Sequence, residues 1–169
     1  MEYFVLNTEI GWIAILGSER GLVRVTLPQK SDREALSLLS EMANNVAVPA
    51  PNRFRDLAKR LKTYFSGHKS SFPDELDLSA GTPFQRDVWR TTRLIPYGET
   101  RSYSWLAEKI GNHRATRAIG QSLGRNPLPI IIPCHRVIGS DGKLGGYAGG
   151  IEIKRQLLSS ETKTTSHQW

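Results

Sequence analysis

Ile130-Ile131-Ile132-Pro133-Cys134-His135-Arg136-Val137 decides how this chain is read, because it sets the only cysteine of 169 residues beside an imidazole and a guanidinium. The three isoleucines form an apolar, strand-like run, and Pro133 removes a backbone donor and stops it. The thiol therefore stands where an apolar element gives way to a loop. Thiolates rather than thiols attack carbon, so a reactive cysteine needs a base or a positive neighbour. His135 and Arg136 offer both. The competing reading is an inert core cysteine, since free cysteine is commonly buried.

Upstream of the thiol the pattern is helical. Thr82-Pro83-Phe84-Gln85 combines an N-cap, a proline at N1 and a glutamine at N3, and predicts a helix to about Leu94 with Phe84, Val88 and Trp89 inward. Pro96-Tyr97-Gly98-Glu99 reads as a turn. Ser102 caps a helix to Ile110, Gly111-Asn112 ends it, and a further helix runs from His113 or Arg114 to Gly124. Two short helices joined by a glycine-containing turn make a helix-turn-helix pattern. On the second helix Ala115, Ala118 and Ser122 form one thin face. A reader of major-groove base edges would project Asn, Gln or Arg there. A smooth face with Arg117 nearby suits a narrower groove, while its structural alternative is close helix packing.

The first half alternates instead. Tyr3 to Asn7, Trp12 to Leu16 and Leu22 to Leu27 read as an antiparallel meander. Ser31-Asp32-Arg33-Glu34 is a capping box for a helix to about Ala43, and Asn52 to Phe65 gathers Phe54, Leu57, Leu61 and Phe65 on one helical face. Gly67 to Gly81 reads as a linker. The organisation expected is α+β, with a supporting domain over 1–78, a helical domain over 79–161 carrying the cysteine loop, and a disordered tail over 162–169.

Charge separates the halves. Residues 1–81 hold ten Lys/Arg and ten Asp/Glu, whereas residues 82–169 hold thirteen against six, so the whole net charge of +7 lies with the cysteine. That distribution is the footprint expected of polyanion binding. A single cysteine excludes an internal disulfide, and four scattered histidines give no zinc spacing. Met1 to Gly17 lacks the pattern of a signal peptide, and no apolar run approaches the roughly 20 residues that span a membrane. A cytoplasmic, DNA-associated protein with a reduced thiol is the expectation.

Pro133-Cys134-His135-Arg136-Val137, preceded by Asn126-Pro127-Leu128-Pro129 and followed by Gly145-Gly146-Tyr147-Ala148-Gly149-Gly150, closely resembles the O6-alkylguanine-DNA alkyltransferases. The resemblance covers about Thr82 to Glu161; over the N-terminal half it is architectural and implies a ribonuclease-H-like antiparallel sheet with helices. It implies that the damaged nucleotide is flipped out of the duplex, since a stacked base presents its O6 substituent poorly. By resemblance Arg117 enters the stack beside Ala118, and Tyr103 crowds the rotating phosphate and hydrogen-bonds the guanine. Cys134 takes the alkyl group irreversibly, His135 removes its proton through a water, and Glu161 orients the imidazole. Asn126 becomes a hinge, and Pro129, Arg136 and Val137 flank the thiol, with Arg136 read mainly as an ion-pair partner. Tyr147, Ala148 and Gly149 form a pocket wall. Many relatives carry serine at the position of Ala148, which bears on substrate range.

The same resemblance implies double-stranded DNA carrying O6-alkylguanine as partner, with O4-alkylthymine an alternative lesion, and a monomer that can load in several copies. No cofactor is implied. Some relatives hold zinc in the N-terminal domain, but its cysteine ligands are missing here, so no metal is expected. Two other classes compete. A lesion sensor of the alkyltransferase-like group lacks the cysteine, typically having tryptophan, and Cys134 argues against it. A cysteine hydrolase needs a nucleophile elbow and a distant histidine, which this stretch does not provide.

Overall fold

The computed structural model describes residues 1–43, 46–147 and 149–165, which divide into two compact units, Met1–Leu78 and Ser79–Trp169. In the first, side-chain alternation produces strands β1 (Glu2–Thr8), β2 (Gly11–Ser18) and β3 (Gly21–Val25). They pair antiparallel in the expected meander, with Tyr3 opposite Leu16 and Leu6 opposite Ile13. β2 is buried on both faces. Ala14 and Leu16 meet Ala35 and Leu39 of helix α1 (Asp32–Ala43), while Ile13 and Ile15, also fully buried, point the other way by the two-residue period. Helix α2 (Arg55–Phe65) packs on β1 and buries Leu57, Leu61 and Phe65, with Phe54 just ahead of it.

Two features of this first unit depart from the sequence reading. A two-residue strand, β4 (Val48–Pro49), pairs parallel with β1, so the sheet order is β3-β2-β1-β4. Periodicity cannot register so short a strand, least of all one ending in proline. The expected linker over 67–81 is also partly built into the sheet. Leu22 N–H donates to Glu75 O at 2.9 Å, Asp77 N–H donates to Leu22 O at 2.8 Å, and Leu78 is buried. Gly21, at φ +145°, makes this approach possible, because a Cβ there would lie 2.4 Å from Glu75 O.

The second unit is held by helix caps. Thr82 and Gln85 close the expected capping box at the start of α3 (Pro83–Thr92), with side chain to backbone distances of 3.0 and 3.1 Å. Ser102 Oγ accepts from Trp105 N–H at 3.0 Å and starts α4 (Tyr103–Ile110), which Gly111 ends at φ +82°. The next helix, α5 (Thr116–Gly124), begins later than expected, because Asn112 Oδ1 takes the Arg114 N–H into a turn. The three helices pack together, and Trp89 Nε1 donates to Ser122 O at 2.8 Å to fasten α3 to α5. Val88, Leu106, Ile119, Leu128 and Ile132 fill the core with no exposed surface, whereas Phe84 stays half-buried.

The strand expected at Ile130–Ile132 is instead a turn. Pro129 and Ile132 form an isolated bridge, Ile132 N–H donates to Leu128 O at 2.8 Å, and Ile130 takes φ 75°. Prolines at 127, 129 and 133 remove the donors a ladder would need. A short parallel pair, β5 (Arg101–Ser102) with β6 (Val137–Ile138), follows the cysteine turn, and helix α6 (Ile151–Thr165) closes the unit. The first residues of the expected disordered tail are therefore helical. Thr162 is buried and its hydroxyl donates to Ser159 O at 3.0 Å. Residues 166–169, including Trp169, lie outside the described residues. No helix among those described is long and apolar enough to cross a membrane.

Candidate active site

Cys134 opens a single 3₁₀ turn, Cys134–Arg136, directly after Pro133. Its side chain is nearly closed off, with 7% exposure. The Asn126 amide reaches it from the end of α5. Nδ2 donates to Ile132 O at 2.8 Å and to Sγ at 3.1 Å, while Oδ1 accepts from Leu128 N–H at 2.9 Å. One side chain thus ties the turn before the cysteine to the cysteine itself. Burial pushes the thiol pKa up; hydrogen bonds from Asn126 and Tyr147 and the charge of Lys154 pull it down, but burial wins. At rest the group is a protonated thiol that needs a base.

His135 is fully buried, and its Nε2 lies 2.8 Å from Glu161 Oε2. Burial lowers the imidazole pKa, against the pull of Glu161, so the ring is neutral near pH 7. A neutral ring facing a carboxylate carries its proton on Nε2 and donates it to Glu161, which leaves Nδ1 as the basic nitrogen. Glu161 serves two partners. Arg136 Nε donates to its Oε1 at 2.7 Å, and Nη2 also pairs with it. Burial raises the Glu161 pKa, but His135 and Arg136 outweigh that and hold it below the ordinary carboxylate value. Arg136 further donates to Ile95 O at 2.8 Å and lies over the Tyr97 ring.

Above the thiol is a cavity of about 790 Å³ lined by Tyr103, Arg117, Gly120, Cys134, Gly145 and Tyr147, among others. Tyr103 starts α4 and packs against Gly145, where an added Cβ would lie 3.0 Å from its hydroxyl. Burial, then the charge of Cys134, raises the phenol pKa, so Tyr103 keeps its proton and can donate it. Arg117 and Ala118 are exposed on the first turn of α5, but Ala115 and Ser122 are buried. The thin face is therefore divided. Ser122 spends its hydroxyl on Ala118 O at 3.0 Å and packs inward, so Arg117, Ala118 and Gln121 form the outward surface.

Of the other sequence candidates, Arg136 ends the cysteine turn and Pro129 and Val137 flank it; all three are buried and none lines the cavity. Gly149 is half-buried beside the wall, and Ala148 lies outside the described residues. Sequence reading missed Lys154. Its Nζ donates to Val137 O at 2.7 Å, to Leu144 O and to Gly146 O at 3.3 Å, joining the cysteine turn to the cavity wall. The residue has no exposed surface, and burial, opposed by the charge of Cys134, brings its pKa down to about 8. The available signal was its position: Lys154 stands three and four residues before the buried Leu157 and Leu158, on the apolar stripe of α6.

The molecule has clear relatives. Two family models match, the 6-O-methylguanine DNA methyltransferase ribonuclease-like domain over residues 1–78 and the DNA binding domain of the same name over 83–163. The methylated-DNA–protein-cysteine methyltransferase of Mycobacterium bovis is 52% identical over 161 residues, 95% of this chain and 92% of that protein. Its namesake from Methanosarcina barkeri is 44% identical over 161 residues, 95% of this chain and 97% of the relative. The crystal structure of Mycobacterium tuberculosis OGT in complex with DNA superimposes with a TM-score of 0.80 at 41% identity, covering 96% of this chain and 94% of that one.

Proposed function

Because the chain belongs to the 6-O-methylguanine DNA methyltransferase family, we propose that it repairs O6-alkylguanine in duplex DNA by moving the alkyl group to Cys134 once and irreversibly. The observation that carries this is a single buried thiol, held by Asn126, at the floor of a cavity bordered by Tyr103 and Arg117. A base pair in the stack cannot reach that floor, so the lesion enters flipped, with Arg117 at the mouth filling the space it leaves. Outward Ala118 permits a close approach of α5 to the groove.

The chemistry follows from the protonation states. Nδ1 of neutral His135 takes the Cys134 proton through a water, and Glu161 and Arg136 stabilise the imidazolium that forms. Sγ then attacks the alkyl carbon in line. The carbon–O6 bond breaks, its electron pair passes to the guanine, and the guanine takes up one proton through the Tyr103 hydroxyl, which is re-protonated through water as the imidazolium gives up the proton taken from Cys134. Protein thioether and intact guanine are the products. The thioether is a stable product, so one chain repairs one base. Asn126 steadies the developing thiolate, and Lys154 fixes the wall against which the base lies.

Intact-protein mass after incubation with a duplex bearing one O6-methylguanine tests the reading. A gain of one methylene equivalent, confined to Cys134 and to one per chain, is expected. Unchanged mass with excess lesion present would refute it.

A further inference from the structure

The balanced charge of the first half conceals a local excess. Between residues 51 and 70 stand Arg53, Arg55, Lys59, Arg60, Lys62 and Lys69 against the single acid Asp56. Arg60 is neutralised by Asp56 at 3.0 Å and by Asp74 at 2.7 Å, and Arg53 pairs with Glu2. Arg55, Lys59 and Lys62 make no ion pair among the described residues and are exposed. Their i, i+4, i+7 spacing places all three on one face of α2. That face forms the side of an open groove of about 850 Å³ running along the end of β1, where Asn7 and Thr8 face it and Glu9 is the only acid among the described residues. The groove therefore carries three cations against one carboxylate.

We propose that this groove is a second, lesion-independent contact for the phosphate backbone of duplex DNA, separate from the cavity above Cys134. The proposal rests on DNA being the carrier of the substrate. A stable protein partner would need a central aromatic or apolar anchor, and this groove offers only Phe4, Pro51 and Ala58 among polar side chains. A phosphate strand needs the reverse: spaced cations and hydroxyl or amide donors without an apolar core. Exposed Asn7 and Asn52 supply side-chain amides along the same groove, whereas the Thr63 and Ser66 hydroxyls are already donated to Lys59 O and Thr63 O.

Lysine acetylation of the full chain, read by peptide mass spectrometry with and without saturating undamaged duplex, tests the contact directly. Lys59 and Lys62 are expected to be protected several-fold while exposed Lys30 reacts unchanged. Equal acetylation of Lys59 and Lys62 in both conditions overturns the proposal. An R55Q/K59Q/K62Q variant gives a second readout. The slope of log affinity against log salt is expected to become shallower by about 2 to 3, one unit per phosphate lost. An unaltered slope also counts against the groove. Alkyl transfer from the free base O6-benzylguanine to Cys134 should match the parent in this variant. If the parent shows no transfer even from saturating O6-methylguanine duplex, it is the repair reading that fails, not this one.

Discussion

The two units are built on opposite solutions to burial. Among the described residues the sheet unit buries aliphatic and aromatic side chains with Thr26 as its only buried polar residue. The helical unit buries His135, Arg136, Lys154 and Glu161 together with Thr92, Ser122 and Thr162. An apolar core is roughly proportional to area and forgiving of exchange. A polar core stands only while each member keeps its partner, because removing one strands a charge away from water. The thiol chemistry is therefore housed where the fold is least tolerant, and the difference can be attacked experimentally.

Cys134→Ala has the largest effect. Transfer falls to nothing while binding to a lesion-containing duplex, followed by fluorescence anisotropy, stays near the parent level. Glu161→Ala comes next. It leaves Arg136 buried without its carboxylate and should cost about 3 to 5 kcal/mol in urea denaturation, in addition to slowing transfer. Lys154→Met keeps the volume but releases the wall, and a slower transfer rate is expected. The parent rate should also decline as pH rises past about 8, where Lys154 loses its proton, and that limb should disappear in the variant. In the sheet unit Ile15→Val should cost only about 0.5 to 1.5 kcal/mol and leave transfer unchanged. A larger loss there than at Glu161 would break the comparison.

Acid should separate the two units as well. His135 and Glu161 both have folded pKa values below their ordinary ones of 6.5 and 4.5. The unfolded chain then binds the extra protons, so their stabilisation is complete above pH 6.5 and is lost as pH falls, through His135 first and Glu161 after it. Hydrogen exchange at pH 5 compared with pH 7.5 should accelerate, after correction for intrinsic rate, around Cys134–Val137 and α6 more than in β1 and β2.

Much of this was legible. The meander announced itself by alternation and the helices by Thr82, Ser102 and Gly111; Cys134 and His135 stood out as chain neighbours, and Glu161 entered only through the family resemblance. What stayed hidden depended on partners far along the chain. Leu76 and Leu78 read as part of a polar linker until Gly21 lets that segment meet β3. Ile130 sits in strand-like company, yet three prolines and the Asn126 amide bend it into a positive φ that no propensity scale favours for isoleucine. Lys154 looked like one more surface cation, because a buried ammonium is visible only once the carbonyls that receive it are in place.

The enclosure of the thiol has a further consequence. A reagent that can be used once is wasted by every stray electrophile or oxidant it meets first. Low-pKa, accessible cysteines are those that oxidise readily. Cys134 is neither, being both covered and held protonated by burial. Its idleness away from DNA is thus a form of shelf life: the molecule waits intact because its one sulfur stays covered and protonated.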